Sequence, residues 1–134
     1  MCFGVLFDFM ENSNVTKFTT AKEMVKEKWF LSAVNYNKPI DLFIVVGHNP
    51  IRNTNPASTF GVVLDALKSI RPHVPVQVFR GHSHLRDFQI DNERSSGLNS
   101  GQYCKTVGWL SIFGIKSPTY TGNMKPNVKS NQHH

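Results

Sequence analysis

Three histidines stand in positions where side-chain chemistry is to be expected: His48 in Gly47-His48-Asn49-Pro50, and His82 and His84 in Arg80-Gly81-His82-Ser83-His84. Neutral imidazole is a ligand for zinc, iron and manganese-type ions. In a His-x-His pair on extended backbone, both rings project to the same side. The glycines at 47 and 81 suit a chain that must turn tightly after a strand. His-x-His alone is also compatible with polar loop surface. The metal reading gains weight only if His48 is brought beside the pair. His73, between Pro72 and Pro75, reads as a surface turn, and His133 and His134 as a solvated end. Cys2 and Cys104 allow at most one disulfide, and neither CxxC nor a Cys/His finger spacing occurs.

The elements around these histidines supply the missing link. Asp41-Leu42-Phe43-Ile44-Val45-Val46 holds a continuous apolar run, which reads as a strand buried on both faces. Asn55-Pro56 reads as a helix start, and Phe60, Val63, Leu64 and Leu67 follow at i, i+3, i+4 and i+7, one apolar stripe. Arg71-Pro72 ends that helix, and Val76 to Phe79 is a second strand. Strand, helix, strand is the βαβ pattern, which makes the strands parallel. Their C-terminal ends then share one sheet edge, where open α/β sheets hold ligands. His48 and His82 are thereby expected at one rim, with His84 beside them.

The rest of the chain frames this unit. Cys2 to Phe9 reads as a buried strand. Thr20 and Glu23 form a capping box, and Ala21, Val25, Trp29 and Ala33 continue as a ridge, so one helix is predicted over 21–34. Leu85 to Ile90 is a predicted strand, Asp91 to Gln102 a polar loop, and Tyr103 to Ile115 another strand. Residues 116–134 have no periodicity and read as a disordered tail.

Composition limits the function classes. The 134 residues carry 15 Lys+Arg against 9 Asp+Glu, a net charge of +6. The densest basic group, Lys22, Lys26 and Lys28, is interleaved with Glu23 and Glu27, as on a solvated helix face. No helix-turn-helix pattern or stacking platform supports nucleic-acid binding. No apolar run approaches the ~20 residues of a membrane helix, and Met1 runs directly into a strand-like stretch without a leader pattern.

The segments DLFIVVGHNP (41–50) and VFRGHSHLRDF (78–88) resemble the last two histidine motifs of calcineurin-like metallophosphoesterases, in the fungal branch similar to 5′-nucleotidases. The opening FGVLFDF (3–9), Trp29-Phe30, LNSGQYC (98–104) and VGWLS (107–111) are similar to that branch as well, so the resemblance covers residues 1 to about 115. It implies an α/β fold, part of an αββα sandwich with a βαβ unit and C-terminal antiparallel strands. It also implies hydrolysis of phosphate esters, nucleotides among them, at a pair of divalent Zn, Mn or Fe-type ions. By position, His48 and His82 would be ligands of one metal and His84 of the other.

The family's Asp-x-His, Gly-Asp and Gly-Asn-His motifs do not occur in these 134 residues. Asp41 starts its strand, Asp65 lies within a helix and Asp87 heads away along the next strand, so none replaces the missing carboxylates. Residues 1–115 are therefore expected to be the C-terminal portion of a catalytic domain, without activity alone. Apolar strands without partner strands would favour self-association. The other reading is a non-enzymatic three-histidine metal-binding or interaction module.

Overall fold

In a computed structural model, residues 1–6, 8, 14–49, 58–112 and 115 of the chain are described. Their elements are β1 (Cys2–Leu6), α1 (Ala21–Met24), α2 (Lys28–Val34), β2 (Phe43–His48), α3 (Thr59–Ile70), β3 (Val76–Arg80), β4 (Arg86–Asn92) and β5 (Ser95–Ser100). The five strands form one sheet in the order β1-β2-β3-β5-β4. β1, β2, β3 and β5 are parallel, and β4 runs antiparallel to β5. The βαβ unit expected from the sequence is present: Val45 pairs with Val78, and α3 connects the two strands.

The core lies between the sheet and its helices. Phe3 and Val5 of β1, Phe43 and Val45 of β2, and Val76 and Val78 of β3 are buried, as are Phe30 and Val34 of α2 and Phe60, Val63 and Leu67 of α3. Phe3 anchors the aromatic part, with ring centroids 5.0 Å from Phe30 and 6.2 Å from Phe43. Arg71, just past α3, ties the helices together. Its Nε donates to the Val34 carbonyl at 3.0 Å and its Nη2 to that of Tyr36 at 2.8 Å, which satisfies acceptors left open at the end of α2.

Leu64 is only half-buried against this core, whereas Leu67 is fully enclosed. Leu67→Ala is therefore expected to cost ~2–5 kcal/mol and Leu64→Ala distinctly less. Urea unfolding of the two variants checks this, and an equal or reversed ranking would contradict the packing described.

Several expectations need correction. The helix over 21–34 is two helices. The capping box is real, with Glu23 N–H donating to Thr20 Oγ1 at 3.2 Å and Thr20 N–H to Glu23 Oε2 at 3.0 Å. The backbone is extended at Glu27 (φ −64°, ψ 141°), which restarts the helix on a rotated face. Phe30 and Val34 are consequently the residues inside, while Trp29 of the expected ridge is 55% exposed. β1 and β2 are not buried on both faces. Leu6, Val46 and, on β3, Phe79 are exposed on the face opposite the helices.

The polar stretch 91–102 contains a strand, β5, rather than a loop throughout. Ser95, Ser96 and Asn99 are buried in it, and Ser96 meets a polar partner, its Oγ donating to Gln77 Oε1 at 2.6 Å. Gly97 leaves room for Arg80, whose Nε would lie 2.7 Å from a Cβ at that position. The described part of 103–115 is not a strand. The helix start expected at Asn55-Pro56 and the tail 116–134 fall outside the described residues. α3 begins at Thr59 and is capped by Ser58, whose Oγ accepts from Gly61 N–H at 3.0 Å.

Candidate metal centre at the sheet edge

His48 is the last residue of β2, level with Leu6 of β1, and β3 ends two residues before His82. The sheet thus delivers both to its C-terminal edge. The His48 and His82 rings meet edge to face, with centroids 5.1 Å apart and planes at 85°. Gly81 makes this approach available, since a Cβ there would come within 3.1 Å of His48 Nδ1. Gly47 is needed for close packing one residue earlier, where a Cβ would sit 2.2 Å from the Val5 carbonyl oxygen.

The loop that carries His82 and His84 is not extended. His82 has φ 76° and His84 φ 61°, both left-handed. Ser83 N–H donates to the Gly81 carbonyl at 3.0 Å, the i→i+2 bond of a γ-turn centred on His82, in its rare positive-φ form. A non-glycine residue held there stores ~1–3 kcal/mol of strain, and such strain gathers at functional sites. The same-side argument for His-x-His, which assumed extended backbone, does not apply. The γ-turn is what swings His82 back onto His48.

Among the described residues, no group of three His, Cys, Asp or Glu side chains is close enough to hold one ion. The structure brings His48 and His82 together and places His84 in the same turn. The two imidazoles fit as part of a donor set for a zinc or manganese-type ion, as neutral nitrogen donors on neighbouring strands. Sequence reasoning passed over two residues here. Asp8 follows β1 by two residues, at the same edge that His48 occupies. Asn49, next to His48, is 3% exposed, and its Nδ2 has no hydrogen-bond partner.

Behind the loop, Arg80 turns away from the edge and crosses β5 at Gly97. Its guanidinium lies 5.1 Å from the Phe60 ring centroid and its Nη2 donates to Asp91 Oδ2 at 2.7 Å. Burial pushes the Asp91 carboxyl above its ordinary value, and the Arg80 charge and hydrogen bond oppose that shift.

The fold is similar to part of a solved structure. The crystal structure of a 5′-nucleotidase from Candida albicans superposes with a TM-score of 0.73 at 41% sequence identity, over 83% of this chain and 20% of that one. A secreted protein of Arthroderma benhamiae is 50% identical over 126 residues, 94% of this chain and 19% of that protein. Uncharacterized proteins of Schizosaccharomyces pombe and Saccharomyces cerevisiae are each 36% identical, over 90% and 84% of this chain. The chain spans about a fifth of the length of the curated relatives it matches. No family model matches it. No helix among the described residues is long and apolar enough to cross a membrane.

Proposed function

We propose that residues 1–115 are the C-terminal portion of the catalytic domain of a calcineurin-like metallophosphoesterase, and that the complete domain hydrolyses phosphate esters, nucleotides among them. The observation that carries this reading is the edge-to-face meeting of His48 and His82 at the C-terminal ends of adjacent parallel strands. The likeness to a 5′-nucleotidase supports nucleotides as the substrate class. His48, His82 and His84 are the residues assigned to hold divalent Zn, Mn or Fe-type ions. When bound, such ions polarise the phosphoryl group of the ester. The chain's own part is to present neutral imidazoles from a rigid sheet edge, with the β3 loop fixed by its γ-turn.

The test is metal binding by the purified chain, read from the absorption of added cobalt and by competition for zinc. Wild type is expected to bind both. His48→Ala/His82→Ala is expected to lose at least the ~10–100-fold in affinity that even outer-shell substitutions cost. Equal binding by wild type and double variant would overturn the assignment. Tight binding by a chain whose longer homologues lack phosphatase activity would favour the non-enzymatic three-histidine module.

A further inference from the structure

We propose that Asn99 is a positioning residue for the histidine loop: its one side-chain amide clamps the turn bearing His82 and His84 to the turn at 101–104. Asn99 lies near the end of β5, level with Arg80 of β3, and is 2% exposed. Its Nδ2 donates to Ser83 Oγ at 2.8 Å, and its Oδ1 accepts from Gly101 N–H at 3.1 Å. The orientation is forced, because Gly101 N–H can only donate. Oδ1 must face it, which leaves Nδ2 for the serine between the two histidines.

Backbone conformation shows why a clamp is needed at this place. His82, His84, Tyr103 and Cys104 are the non-glycine residues with positive φ among the described residues, and all four lie in these two turns. Gly101 joins them at φ 88°, and a Cβ there would stand 3.2 Å from Arg86 Cγ and 3.7 Å from the His84 carbonyl oxygen. The turns therefore pack directly against each other. Conformations of this kind persist only where their surroundings over-determine them. A buried amide bonded to both turns supplies that constraint, since movement of either breaks one of its hydrogen bonds out of reach of water.

Asn99 acts on the metal centre through its hydrogen bond to Ser83, the residue between the two histidines of the loop. This inference rests on the proposed site for its metal readout and on the fold alone for its dynamic one. The first measurement is zinc affinity of the full chain by competition with a chromophoric chelator. Ser83→Ala and Asn99→Ala are each expected to weaken zinc binding by ~10–100-fold. The double variant should be no worse than the weaker single one, and Ser83→Thr, which keeps the hydroxyl, should retain wild-type affinity. Ser83→Ala leaves the buried Asn99 Nδ2 without its acceptor, so a lowered urea midpoint should accompany the loss of affinity, and Ser83→Thr should restore both. A merely structural role would move stability and spare affinity.

The second measurement is ¹⁵N relaxation without metal. In Asn99→Ala, amides at 81–84 and 101–104 should gain nanosecond mobility while those of Val45 and Val78 stay rigid. Zinc binding unaffected by Ser83→Ala, or both turns as rigid in Asn99→Ala as in wild type, overturns the clamp. If wild type binds no zinc while Asn99→Ala loosens both turns, the clamp stands and the metal assignment falls.

Discussion

Asp91→Ala is expected to remove about 3–5 kcal/mol of stability at neutral pH, the usual cost of taking one partner from a buried ion pair. That is a large part of the ~5–15 kcal/mol that holds a domain together. The Arg80 and Asp91 side chains are 3% and 14% exposed, so the guanidinium has already lost most of its hydration when it meets the carboxylate. The Phe60 ring that it also faces is a weaker partner for a full charge. A loss below ~1 kcal/mol, the range of exposed pairs, would show that water reaches Arg80.

The pair also has a pH signature. Burial outweighs the attraction of Arg80 and raises the Asp91 carboxyl above its ordinary value. The folded chain thus binds this proton more tightly than the unfolded chain does. The group favours folding most below the ordinary carboxylate range, and that contribution is lost as pH rises through the raised value. The stability gap between wild type and Asp91→Ala should therefore narrow with rising pH over that interval. Urea unfolding at a series of pH values measures it, and a gap that widens would reverse the sign assigned to Asp91.

The second large effect is on turnover. The chain alone, supplied with manganese, zinc or cobalt, is expected to hydrolyse p-nitrophenyl phosphate, bis-p-nitrophenyl phosphate and AMP no faster than the metal salts do. Enzymes of complete constitution commonly exceed background by ~10⁶-fold or more. The reason is charge. Two dications ~4 Å apart repel by roughly 17 kcal/mol at an effective dielectric of 20, and sites that hold two ions must offset this with anionic ligands. Imidazoles bring no negative charge, and no carboxylate among the described residues joins His48 and His82 in a metal-sized group. Robust turnover abolished by His82→Ala/His84→Ala would show that the chain assembles a complete site, by self-association or otherwise.

The parts of this molecule that could be read from sequence are those in which side-chain type follows backbone period. Phe60, Val63 and Leu67 announce α3 because only a 3.6-residue repeat puts them on one face, and they are the buried apolar residues of that helix. The placement of His48 and His82 at one sheet edge followed from topology, since parallel neighbours joined by a helix end at the same edge. β5 was invisible because its environment is polar. Ser96 faces Gln77, Gly97 yields to Arg80, and Asn99 binds Ser83, so burial there carries no hydrophobic pattern. The γ-turn at His82 was hidden for a different reason. Positive φ at a histidine is imposed by neighbours far along the chain, and local sequence signals it only through Gly81. The break between α1 and α2 sits at Glu27, an ordinary helix former, and the sequence holds no local cue for it.

The strand order has a consequence for the way the polypeptide emerges during synthesis. β3 and β4 follow one another in the chain, yet they are not neighbours in the sheet, because β5 stands between them. When the ribosome has released Asn92, β4 has no ladder to join, and the flank of β3 that β5 will occupy is still bare. The turn at Glu93-Arg94 then folds the last strand back on β4, a local pairing of the kind that closes in ~1–10 μs. β5 pairs with β3 on its other side, and its placement there brings Asn99 to Ser83 and Gly97 to Arg80. The histidine loop is thus synthesised before the strand that shapes it.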